Sequence, residues 1–150
     1  MYQRILAAVD DSTTSKLSLK EAALLAGELN ATLRLAHVID DTFTYMAVHS
    51  PREMVDRQTV LRRAGETVLN DAAATARRLG VNAETVLLTV VEASDRVFDA
   101  IEQEAKRWPA DLVVIGTHGR RGFRRLILGS VAEGLIRVAT KPVLLVRGDQ

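Results

Sequence analysis

A chain of 150 residues that is 47% apolar but only 4% aromatic carries an aliphatic core, and at this length one domain spanning 1–150 is expected to bury roughly 70% of its unfolded surface. Twenty basic and 19 acidic residues leave a net charge of +1, which excludes a global pull towards nucleic acid or anionic membranes and makes any electrostatic site a local one. The absence of cysteine excludes disulfides, thiolate metal sites and a cysteine nucleophile, and His37, His49 and His118 are too scattered to suggest a metal cage by spacing.

Apolar runs of strand length alternate with longer stretches of helical period. Arg4 to Val9 reads as a strand that ends at Asp10 and Asp11. A helix ending near Asn30 follows, with Ala22, Leu25, Ala26 and Leu29 at helical spacing on one face. Thr32 to Val38 is a second strand, and Ile39 to His49 a linker. Ser50 as N-cap, Pro51 at the first helical position and Glu53 in a capping box start a long second helix. Its apolar face is predicted to be Leu61, Ala64, Val68, Ala72, Ala76 and Leu79, with Gly80 as the terminal cap. Ala83 to Val91 is strand-like. Ser94 opens a third helix, with Phe98, Ile101, Ala105 and Trp108 on one side and Pro109 as its stop. Leu112 to Ile115 is a short apolar strand, Ser130 to Ala139 the last helix, and Val143 to Val146 the last strand. Such alternation, with continuous apolar strands, implies an α/β fold whose mostly parallel sheet is covered by helices on both faces. Ile5 to Val9 is too short for a secretory signal, and Thr85 to Val91 is far below membrane-spanning length, so no membrane insertion and a cytoplasmic location are expected.

The stretch from Gly116 to Ser130 is the most informative. It leaves a buried strand and opens a helix, and ligands of doubly wound sheets sit beyond the carboxyl ends of strands. A helix start offers unpaired N–H groups and a positive dipole end, which suit phosphate. Ser130 is predicted to cap the helix, with Glu133 as its capping-box partner, while donating to a phosphate oxygen. Spacing alone leaves a second reading open: Gly116 ends a strand, Gly119 and Gly122 make a turn, and Ser130 is an ordinary cap. The loop is neither a Walker A motif, since no Gly-Lys-Ser/Thr occurs, nor a dinucleotide fingerprint. His118 reads as a general base or as a side chain that hydrogen-bonds its own loop, and no catalytic role is assigned to it. Gly134, inside the last helix, signals either close packing or mobility.

Gly116-x2-Gly119-x9-Gly129-Ser130 resembles the nucleotide-binding signature of the universal stress protein family. The similarity runs along the chain: Arg4 to Ser12 resembles the family's first strand and acidic turn, Ala36-His37-Val38 the end of its second, Ala110 to Gly119 its fourth, and Thr140 to Arg147 its last. The resemblance implies a doubly wound five-stranded parallel sheet of order 3-2-1-4-5, which brings Asp10 beside Gly116 in one crevice. It further implies an ATP-binding site. Asp10 and Val38 would hold the adenine end, Ala8, Val9 and Ile115 would line the strand ends, Gly116 would lie near the ribose, and Gly119, Arg120, Gly129, Ser130 and Val131 would cradle the phosphates. An ionised Asp10 only accepts hydrogen bonds, so it suits adenine's amino group and repels guanine's O6. Mg2+ is expected with ATP, although no carboxylate pair is dedicated to it. Arg120, Arg121, Arg124 and Arg125 serve as phosphate partners, a solvated face or a docking patch.

The implied function is stress-response regulation through nucleotide-dependent contacts with an unknown protein partner, with slow ATP hydrolysis at most. One alternative is an enzyme of the related adenine-nucleotide α-hydrolase superfamily, for whose substrate-binding elements this length has little room. A phosphorelay receiver would need an acceptor Asp at the end of its third strand, where this chain has none. A nucleic-acid partner would rest on four arginines alone. A homodimer is expected through the last strand, Val143, Leu144, Leu145 and Val146, because an apolar sheet edge invites pairing.

Overall fold

A computed structural model describes residues 1–42, 47, 49–118 and 128–148. The chain alternates β1 (Arg4–Ala8), α1 (Thr13–Leu29), β2 (Thr32–Asp40), α2 (Pro51–Arg78), β3 (Glu84–Val90), α3 (Val97–Arg107), β4 (Leu112–Gly116), α4 (Ser130–Val138) and β5 (Val143–Val146). The five strands form one parallel sheet in the order β3-β2-β1-β4-β5. This is the order the family resemblance implies.

Strand alternation sends successive side chains to opposite faces and so divides the core in two. Ile5, Ala7, Leu33, Leu35, Leu112 and Val114 face α1 and α2, while Leu6, Ala36, Val113 and Ile115 face α3 and α4. The central strands β1 and β4 are buried on both faces, hence their unbroken apolar sequences.

The helix boundaries follow local chemistry. Ser12 caps α1 by accepting the Ser15 N–H at 3.2 Å, and Asn30 ends it in the left-handed region at φ 51°. Ser50 caps α2 as expected by accepting the Glu53 N–H at 3.2 Å, while Glu53 reaches back to the His49 N–H, one residue before the N-cap, so the expected capping box is displaced by one residue. At its other end Gly80, at φ 84°, donates to Arg77 and Val81 donates to Ala76, a Schellman closure.

Three expectations, two about helices and one about a linker, are corrected. The buried face of α2 passes through Gly65, Leu69, Ala72 and Ala76, whereas Ala64 is exposed and Leu79 lies 37% exposed. Gly65 governs this rotation: a Cβ there would stand 2.7 Å from Leu87 Cδ1 and 3.2 Å from His37 Cδ2, so its bare backbone lies directly on β2 and β3. Ser94 does not cap α3, because Asp95 N–H closes a turn onto Glu92 and the helix begins only at Val97, after Arg96. The linker after β2 is shorter than expected, since Ile39 and Asp40 continue the β2–β3 ladder opposite Thr89 and Val90.

A polar network closes the amino-terminal end of the sheet. Arg34 on β2 donates to Glu84 on β3 at 2.6 Å and to the buried Glu104 on α3 at 2.8 Å, with its guanidinium 4.5 Å from the Trp108 ring centroid. Glu102, also buried, accepts from the Thr140 N–H and hydroxyl, tying α3 to the turn before β5.

Candidate functional site

The carboxyl ends of β1 and β4 meet where the strand order reverses, the position at which open α/β sheets hold ligands. Ala7 is in register with Val114, so Asp10 and Thr117 each stand three residues further along neighbouring strands. The sheet therefore brings the acidic turn and the start of the glycine loop together at one crevice.

On the β1 side, Ala8 is half-buried and Val9 is buried. The Val9 N–H donates to the Ala36 carbonyl at 2.8 Å, and its own carbonyl accepts from His37 Nδ1 at 2.8 Å. A carbonyl can only accept, so the His37 proton lies on Nδ1. Asp10 is half-buried. Its N–H donates to Ser15 Oγ at 2.7 Å, and its Oδ1 accepts the Ser12 N–H at 2.8 Å. That bond makes Asp10 a turn-former and leaves Oδ2 as an acceptor not engaged by any described residue. Val38 is half-buried on β2 opposite Leu88, two strands from β4, with its side chain on the α3 and α4 face.

On the β4 side, Ile115 is buried and Gly116 pairs with Val146. A Cβ at Gly116 would stand 2.8 Å from Thr14 Cγ2 and 3.2 Å from the Thr14 backbone, so this glycine admits the first turn of α1 onto β4. Thr117 is the junction. Its N–H donates to Val146 at 2.9 Å and its carbonyl accepts the Gly129 N–H at 2.7 Å. The loop thus leaves and returns at one point, and α4 starts at the mouth of β4.

Ser130 is the first residue of α4 and exposed; the N-cap is Gly129, which has no side chain to cap with, and no side chain among the described residues hydrogen-bonds the first turn. The predicted Ser130–Glu133 capping box is absent: Glu133 N–H bonds the Gly129 carbonyl, and its carboxylate pairs with Arg137 at 2.6 Å. A helix's first N–H groups have no acceptor within the helix, and here, among the described residues, none caps them beside the half-buried Val131. Such an end suits an anion. The expected phosphate contacts Gly119 and Arg120, and Gly122, Arg121, Arg124 and Arg125 with them, lie outside the described residues.

Gly134 is explained by packing: a Cβ there would collide with the ring of Phe98, so α4 lies tight on α3. Sequence reading assigned no role to Thr14 or Thr117, whose importance comes entirely from what the sheet places beside them. Among the described residues no group of three or more His, Cys, Asp or Glu could hold a metal ion, and no helix is long and apolar enough to cross a membrane.

The model of the universal stress protein family matches residues 1–147. A universal stress protein of Methanocaldococcus jannaschii, MJ0531, is 32% identical, the match covering 98% of this chain and 83% of that protein. A solved structure from the same family in Burkholderia pseudomallei is 35% identical, with a TM-score of 0.73 over 97% of this chain and 96% of that one. Two further solved structures, each 23% identical and covering 97% of this chain, share the fold. One is a universal stress protein in complex with cAMP, at a TM-score of 0.71 and 97% of that chain. The other is the universal stress protein of Archaeoglobus fulgidus in complex with dAMP, at 0.68 and 98%. With the family model matching residues 1–147 and the sheet in the order that the resemblance implies, this protein belongs to the universal stress protein family.

Proposed function

We propose that the crevice between β1 and β4 binds an adenine nucleotide, ATP in the cell, and that its occupancy regulates contacts with a protein partner during stress. The observation that carries this reading is the Thr117–Gly129 bond, which sets the uncapped start of α4 at the carboxyl end of β4 beside Asp10. Backbone N–H groups of Ser130 and Val131 would take phosphate oxygens, joined by the exposed Ser130 hydroxyl. The unengaged Oδ2 of Asp10 would accept the adenine amino group, and the Val38 backbone a further base edge. Ala8, Val9, Ile115 and Gly116 would form the floor, and Gly119 and Arg120 would close over the phosphates. The bound cAMP and dAMP of two proteins sharing this fold support an adenine nucleotide as the ligand class. Mg2+ would arrive with ATP and offset its phosphate charge, while the protein's own groups bind and orient.

The whole of residues 1–150 is read as one nucleotide-binding domain acting in the cytoplasm as a homodimer through β5. Hydrolysis of ATP would be slow at most, since the role is to sense occupancy.

The test is a mass spectrum of small molecules released from the native purified protein, followed by ATP titration. Bound adenine nucleotide is expected, with affinity weakened by Ser130→Ala and base selectivity relaxed by Asp10→Ala. No affinity for ATP at millimolar concentration would overturn the reading.

A further inference from the structure

Thr117 does more than close the loop. Its buried hydroxyl lies 2.9 Å from His118 Nδ1, and His118 Nε2 is buried with no hydrogen-bond partner among the described residues. The tautomer follows from counting hydrogens. A proton on Nδ1 would be donated to Thr117 Oγ1, stranding both the hydroxyl hydrogen and the Nε2 lone pair. With the hydroxyl donating to Nδ1 instead, only one group, Nε2–H, is left over. Each stranded buried polar group costs about as much as a lost hydrogen bond, so the second arrangement is favoured.

Nε2–H is therefore a donor in search of an oxygen. The Thr117 residue that orients it also holds Gly129, and with it the uncapped start of α4, through its carbonyl. His118 follows Thr117 directly, so its ring nitrogen and the start of α4 are both held at the carboxyl end of β4, and both offer N–H donors to an acceptor. We propose that His118 is a ligand-binding residue of the nucleotide site, its neutral imidazole fixed by Thr117 so that Nε2–H donates to a phosphate oxygen. This inference rests on the nucleotide reading for its ligand and goes beyond it in assigning the residue, the tautomer and the atom.

The experiment uses the full chain labelled with 15N in its histidine rings. Long-range proton–nitrogen spectra are recorded with adenosine, AMP, ATP or inorganic phosphate added, and His118→Gln identifies the resonances. Nε2 is expected to carry the proton before any ligand is added. AMP and ATP should shift Nε2 and its proton, and adenosine should leave them in place. His118→Ala should weaken AMP about tenfold or more without changing adenosine affinity, and His118→Gln, which keeps an N–H donor, should restore most of the loss. A proton on Nδ1, or a shift with adenosine alone, overturns the inference. So does nucleotide binding that moves other resonances while Nε2 stays fixed, and in that case the nucleotide reading survives. If no adenine nucleotide binds but inorganic phosphate still shifts Nε2, the nucleotide reading fails and the anion role of His118 stands.

Discussion

Gly134→Ala places one methyl group where α3 and α4 touch. A Cβ at Gly134 falls 2.6 Å from Phe98 Cγ and closer still to Cδ1 and Cε1. Cγ is the root of the ring, so rotating the ring's far end does not clear the space; either Phe98 or α4 has to move. Overpacking of this kind costs about 1–3 kcal/mol. Against it stands the helix preference of alanine over glycine, worth about 1 kcal/mol. The single substitution should therefore lose up to about 2 kcal/mol. Removing the ring with Phe98→Ala should reverse the sign, so that Gly134→Ala then stabilises by about 1 kcal/mol. Urea unfolding of the four proteins of this cycle, at one protein concentration, reads the coupling directly from the midpoints at constant slope. Because α4 begins at Ser130, just after its N-cap Gly129, a displaced helix should also lower ATP affinity in the Phe98 background. Equal stabilisation by Gly134→Ala in both backgrounds would refute the packing argument.

Further substitutions probe other parts of the fold. Gly116→Ala drives a methyl into Thr14, including its backbone, and should cost about 1–3 kcal/mol while weakening nucleotide binding, checked by urea unfolding and ATP titration. Glu104→Ala strips a buried carboxylate from Arg34 and Arg107 and should cost about 2–4 kcal/mol, the low end reflecting the solvent that still reaches both arginines. Glu84→Ala, whose partly exposed carboxylate meets the same Arg34, should cost under about 1 kcal/mol in the same assay. Leu144 is 38% exposed on the edge strand β5, and Leu144→Lys should shift the mass measured by light scattering from dimer towards 16.4 kDa; an unchanged dimer mass would place the interface elsewhere.

Local physics is legible one residue at a time, and those readings survive in the structure. The Ser50 cap, the left-handed Gly80 and the unbroken apolar runs of β1 and β4 each depend on neighbours within a few positions. Sequence by itself therefore determined the succession of strands and helices, the parallel sheet and the suspicion of an anion at Gly116 to Ser130. What failed was also local in form but tertiary in cause. Ser130 loses its expected cap because Thr117 takes Gly129 and makes the glycine the helix boundary. Ala64 yields the buried face to Gly65 because only a residue without a side chain lets α2 lie on Leu87 and His37. Gly134 leaves close packing and mobility both open in sequence until Phe98, 36 positions earlier, is seen against it. The same holds for the site: no spacing rule joins Asp10 to Thr117, or Thr14 to Gly116. Only the reversal of strand order between β1 and β4 does so, because contacts across a sheet are set by which strands pair rather than by distance along the chain.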